Sequence, residues 1–129
     1  MSQGYSILIV DDSRTTRGFI RRTIEMSGFP IGEFHEAENG EEALVVLKGQ
    51  WVDLLLTDIN MPKMNGIELL RTLRASAALK HVPAVVISTD GSDSRKDAAA
   101  QLGVSGYLRK PFAPEQLREV LESALGVAA

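Results

Sequence analysis

The feature that most constrains this chain is a regular alternation of five short apolar runs with five stretches of helical periodicity. The runs fall at residues 6–10, 33–37, 52–57, 83–89 and 105–109. The first, third and fourth are almost continuous in Ile, Val and Leu, the composition of strands buried on both faces of a parallel sheet. The second run is the weakest.

Helical punctuation lies between the runs. Phe19, Ile20, Thr23 and Ile24 recur at helical spacing, and Gly28 suits a C-terminal stop. Asn39 and Glu42 make an N-cap pattern that Asn65 and Glu68 repeat. A fourth helix is expected over residues 94–102, ended by Gly103. The fifth has Pro114 in its first turn, then Leu117, Val120, Leu121 and Leu125, with Gly126 beyond. This order predicts an α/β fold, a single doubly wound (βα)5 domain with a five-stranded parallel sheet and right-handed crossovers.

A chain of 129 residues suits one domain over 1–129, with its core at 5–125. No effector domain is expected, and the tail Val127, Ala128 and Ala129 reads as expendable. With 0 Cys, disulfide scaffolds and zinc–thiolate sites are excluded. Lys and Arg total 14 against 17 Asp and Glu, a net charge of −3 that argues against binding nucleic acid. No apolar stretch approaches the roughly 20 residues of a membrane span, so the expectation is a cytoplasmic protein with no membrane partner.

In open parallel sheets, functional groups gather beyond the carboxyl ends of the strands. Here the runs end at Asp11-Asp12, at Asp58, at Ser88-Thr89 and at Lys110-Pro111. Three carboxylates, a hydroxyl and an ammonium thus share one rim. Neighbouring carboxylates resist ionising together, and a hard divalent cation, Mg²⁺ or Mn²⁺, removes that conflict. A carboxylate beside such an ion can attack phosphorus and form an aspartyl-phosphate. Lys110 would offset the charge of the transferred group, and Ser88 could donate it a hydrogen bond.

Each residue has an ordinary reading too. Asp11 or Asp12 could cap the first helix, and Asp58 could start a turn. Ser88 and Thr89 could be plain strand-end hydroxyls, and Lys110 a solvated lysine. Arg14, Arg17 and Arg21, with Arg22 nearby, read as a solvated helix face or a surface for an acidic phosphodonor. His35 and His81 lack ligand spacing and read as surface residues.

With these residues in hand, the chain resembles the receiver domain of two-component response regulators, in the form of stand-alone chemotaxis-type receivers. The matching segments are ILIVDDS (7–13), LLLTDINMPKMNG (54–66), VPAVVIST (82–89) and SGYLRKPF (105–112). The resemblance implies a flavodoxin-like sheet of order 2-1-3-4-5 and Asp58 as phosphoacceptor. It also implies Mg²⁺ held by Asp11, Asp12, Asp58 and the main-chain oxygen of Asn60, with Lys110 on the phosphoryl group. Ser88 and Tyr107 take the places of the switch hydroxyl and switch aromatic, and the Lys110-Pro111 peptide is expected cis. Asn60 and Thr89 border the entrance and are expected to modulate phosphoryl lifetime.

The resemblance further implies a sensor histidine kinase or phosphotransfer protein as donor. An output protein would bind the surface of the fourth helix, fifth strand and fifth helix, with the chain a monomer or weak dimer. It would be a signalling domain rather than an enzyme, with at most slow autophosphorylation from small donors and autodephosphorylation. One alternative is a receiver-like interaction module that is never phosphorylated. A phosphohydrolase with an aspartate nucleophile would place its acids two residues apart after one strand and carry a cap. Flavin binding would need a glycine- and hydroxyl-rich phosphate loop where Asp11-Asp12 stand.

Overall fold

The computed structural model describes residues 4–126. The tail Val127, Ala128 and Ala129 lies outside the described residues. Ten elements alternate: β1 (Tyr5–Val10), α1 (Arg14–Met26), β2 (Ile31–Ala37), α2 (Gly40–Gly49), β3 (Leu54–Thr57), α3 (Gly66–Ala75), β4 (Ala84–Ser88), α4 (Asp93–Gln101), β5 (Gly106–Arg109) and α5 (Pro114–Leu125). The strands form one parallel sheet ordered β2-β1-β3-β4-β5.

The three strands richest in branched aliphatics take the centre, where both faces need apolar side chains. Successive residues there point to opposite faces. Ile7, Ile9, Leu54, Leu56, Val85 and Ile87 pack with Ile20 and Ile24 of α1 and Leu117 and Leu121 of α5. Leu8, Val10, Leu55, Ala84 and Val86 pack on the other face with Leu47 of α2, Leu69, Leu70 and Leu73 of α3, and Ala99 of α4. One alternating register therefore serves two helical layers. The edge strands β2 and β5 are only partly buried.

Several boundaries differ from the sequence reading. β2 starts at Ile31 rather than 33, because Tyr5 and Ile31 already pair. β3 starts at Leu54 rather than 52. Ahead of it, Asp53 turns its carboxylate to the Ser6 amide (2.8 Å) and the Trp51 indole (2.9 Å). Neither Asp11 nor Asp12 caps α1: the cap is Ser13, whose hydroxyl accepts the Thr16 amide at 3.2 Å. Asn39 caps α2, and Asn65 with Glu68 closes a reciprocal capping box on α3.

Candidate functional site

The sheet's own hydrogen bonding carries past the strand ends and fixes the backbone of the rim. The Asp11 amide donates to Ala37 O (3.1 Å), Asp58 to Val10 O (2.9 Å) and Lys110 to Ser88 O (2.8 Å). Each chemically interesting residue is thus held by the neighbouring strand. The β3–α3 loop is drawn in tightly: the Gly66 amide donates to Ile59 O at 2.8 Å. A Cβ on Gly66 would lie 2.1 Å from the Asp58 carbonyl oxygen, so only glycine allows this approach.

On this frame, carboxylate oxygens of Asp11, Asp12 and Asp58 all lie within 4.8 Å of one another. Asp11 and Asp58 are buried and Asp12 is exposed. The Lys110 ammonium stands between the two buried acids, 2.8 Å from Asp11 Oδ2 and 3.1 Å from Asp58 Oδ2. Its side chain is only 16% exposed, so it is not the solvated lysine of the ordinary reading. Asp58 Oδ1 accepts the Ile59 amide (2.6 Å), and Asp11 Oδ1 accepts the Ser13 amide (2.8 Å). The Lys110-Pro111 peptide is cis.

The electrostatics follow from this crowding. Burial pushes the Asp11 carboxyl above its ordinary 3.8, outweighing the hydrogen bonds from Lys110 and Ser13 that pull it down. Burial acts to lower the Lys110 ammonium, but its bonds to Asp11 and Asp58 carry it above 10.5, so it stays charged. Three carboxylates against one ammonium leave a deficit of positive charge. An all-oxygen donor set with that deficit fits Mg²⁺.

The remaining predicted residues lie around this cluster. Ser88 is fully buried at the end of β4, and its hydroxyl accepts the Asp90 amide at 3.1 Å. The Tyr107 hydroxyl donates to the Asp90 carbonyl, and its ring packs against the α2–α3–α4 layer. Burial, then the negative charges of Asp90 and Asp58, raise the Tyr107 hydroxyl above its ordinary 10.0. Asp90 itself is held below 3.8, first by the Ser92 hydroxyl and amide, with Asn60 and Arg95 adding to the effect. Asn60 and Thr89 are both exposed.

Two sequence readings need correction. Arg17 does not belong to a solvated face: its side chain is 11% exposed, with Nε 2.8 Å from Glu36 Oε1 and Nη1 2.5 Å from the Asp11 carbonyl. His35 is not a free surface residue either. Its side chain is 15% exposed and its Nε2 lies 3.1 Å from Glu33 Oε2. His81 is exposed as expected.

A parallel sheet of this order, with acids and a lysine at its carboxyl rim, defines a flavodoxin-like α/β domain with a candidate Mg²⁺ site. The chain belongs to the response regulator receiver domain family, whose model matches residues 7–122. It is thus a receiver domain of two-component phosphorelay systems. It is 40% identical over 124 residues to the chemotaxis protein CheY homolog of Campylobacter jejuni, covering 95% of this chain and 94% of that protein. It is 42% identical over 116 residues to chemotaxis protein CheY of Pseudomonas aeruginosa, covering 90% and 92%. Among solved structures, chemotaxis response regulator CheY4 of Vibrio cholerae matches with a TM-score of 0.83 at 32% identity, covering 95% of this chain and 99% of that one. The phosphorylated cyanobacterial phytochrome response regulator RcpA matches with 0.84 at 26%, covering 98% and 97%.

Proposed function

We propose that Asp58 accepts a phosphoryl group from a phosphohistidine on a sensor histidine kinase or phosphotransfer protein. The observation that carries this reading is Lys110 bridging Asp11 and Asp58 with Asp12 alongside. Asp11, Asp12, Asp58 and the main-chain oxygen of Asn60 would hold Mg²⁺, and Mn²⁺ suits the same donors. When bound, the ion supplies the positive charge that lets two anions meet.

An Asp58 carboxylate oxygen forms the new O–P bond as the P–N bond breaks, and the imidazole leaves with the electron pair. Lys110 is already at Asp58 and follows the charge onto the phosphoryl oxygens. A carboxylate becomes a group of about −2 charge with new acceptor oxygens. Those oxygens accept from the Ser88 O–H and draw the hydroxyl toward them, away from the Asp90 amide that donates to it here. Tyr107 is tied to the same residue through the Asp90 carbonyl, so a change at Ser88 is felt at Tyr107. One or two charge-assisted hydrogen bonds supply the few kcal/mol that a two-state shift needs.

The output surface is that of α4, β5 and α5, where Tyr107 lies, and the unit works as a monomer or weak dimer. The described residues contain no helix long and apolar enough to cross a membrane. We read the chain as one cytoplasmic receiver unit with chemotaxis-type output, as in the CheY relatives. It turns over no substrate beyond slow self-phosphorylation and self-dephosphorylation. Asn60 and Thr89, exposed beside the pocket, tune phosphoryl lifetime; unchanged dephosphorylation rates in both Asn60→Ala and Thr89→Ala would remove them from that role.

The test is intact mass after incubation with a small phosphodonor. Wild type gains one phosphoryl group only when Mg²⁺ is present, and Asp58→Asn gains none. No gain in wild type, with Mg²⁺ present, leaves an unphosphorylated interaction module.

A further inference from the structure

We propose that Arg17 is a positioning residue for the acidic site, holding the Asp11–Asp12 segment against Asp58; this rests on the reading of these acids as the Mg²⁺ site. Arg14 and Arg22 are exposed and the Arg21 side chain is about half-exposed, whereas Arg17 is turned inward. Its guanidinium joins two groups that sequence keeps apart. Nη1 donates to the Asp11 main-chain oxygen, and Nε donates to Glu36 on β2.

Glu36 is itself a fixed anchor. It sits in the β1–β2 register opposite Ile9, and its second oxygen lies 3.5 Å from Arg21 Nη1. The Arg21 guanidinium in turn rests 5.0 Å above the Phe34 ring. The path from the edge strand to the acids therefore runs Glu36, Arg17, Asp11 carbonyl.

That carbonyl belongs to the peptide that links Asp11 to Asp12. Its orientation determines where the Asp12 side chain leaves the backbone. Asp12 needs outside help, because it is exposed and no side chain among the described residues bonds its carboxylate. The other tethers of the segment, Asp11 N to Ala37 O and Ser13 N to Asp11 Oδ1, leave this carbonyl to Arg17. A lysine here keeps the charge but loses the planar fork that reaches both partners at once.

The experiment titrates the full chain with MgCl₂ by calorimetry and records melting in EDTA for each variant. Removing a partner of this kind lowers metal affinity about tenfold or more. That fall is expected for Arg17→Met, with a smaller one for Arg17→Lys and for Glu36→Gln. Glu36→Gln added to Arg17→Met produces no further loss, because Glu36 acts through Arg17. A purely structural arginine would lower the EDTA melting point and leave Mg²⁺ affinity unchanged, which overturns the proposal. If Arg17→Met fails to fold, wild-type affinity in both Arg17→Lys and Glu36→Gln overturns it as well. If wild type binds no Mg²⁺, or Asp12→Asn binds it equally well, the site reading itself fails and this inference falls with it.

Discussion

The Lys110 ammonium reaches Asp58 at 3.1 Å across 52 residues of sequence, and the same nitrogen touches Asp11 at 2.8 Å. It is the only cation hydrogen-bonded to these two carboxylates among the described residues. Replacing it with Ala leaves two buried acids facing each other, a loss of about 1–3 kcal/mol. Lys110→Ala therefore melts lower in EDTA, and Mg²⁺ restores more of its stability than it adds to wild type. Asp58 is still phosphorylated in this variant, but partner binding no longer responds. A response that survives contradicts the coupling through Lys110.

Tyr107 makes stability sensitive to alkaline pH. Its hydroxyl sits above the ordinary 10.0, raised first by burial and then by the charges of Asp90 and Asp58. The folded chain thus keeps a proton that the unfolded chain releases. Stability from this group is whole below pH 10.0 and is lost as pH rises through the elevated folded value. Tyr107→Phe loses the bond to the Asp90 carbonyl, about 1 kcal/mol at neutral pH, and flattens the fall above pH 10. Melting curves of both proteins from neutral to alkaline pH measure this.

Gly66→Ala tests how closely α3 is drawn under the site. The added methyl would overlap the Asp58 carbonyl oxygen and crowd Ile59 Cα, both of them backbone atoms. The loop has to shift, at a cost of about 3 kcal/mol. A large drop in the urea midpoint is expected, with weakened Mg²⁺ binding because Asp58 moves too.

Asn65→Ala removes one half of the α3 capping box, in which Asn65 Oδ1 accepts the Glu68 amide at 2.9 Å. The expected loss is about 1 kcal/mol. Phosphorylation is retained, since this cap lies outside the acid cluster. Equal loss of phosphorylation and stability would show that the cap also positions Asp58.

Much of this architecture is legible in the residues themselves. The central strands announce themselves because burial on both faces demands unbroken aliphatic runs, as in Ile7-Leu8-Ile9-Val10. The acids at the strand ends follow from the βα order, since a parallel sheet brings those ends to one rim. What hides is whatever depends on a partner far along the chain. Arg17 looks like any cation on a polar helix face until Glu36, 19 residues away, and the Asp11 carbonyl turn it inward. His35 is misread for a different reason: it lies on an edge strand, yet its side chain is largely covered and meets Glu33 two residues away. The early start of β2 is masked by Gly32, which reads as a loop residue although Ile31 already pairs with Tyr5. Asp90 carries no motif signal, yet its backbone meets both Ser88 and Tyr107.

The central claim is that one particular carboxylate becomes an acyl phosphate. Borohydride reduction of the phosphorylated chain, followed by peptide mass spectrometry, converts such an anhydride to the alcohol and locates it. The account predicts homoserine at position 58 and aspartate retained at 11 and 12. Reduction at Asp11 or Asp12, or a phosphoryl group found on a serine or histidine with aspartate retained at 58, would contradict it.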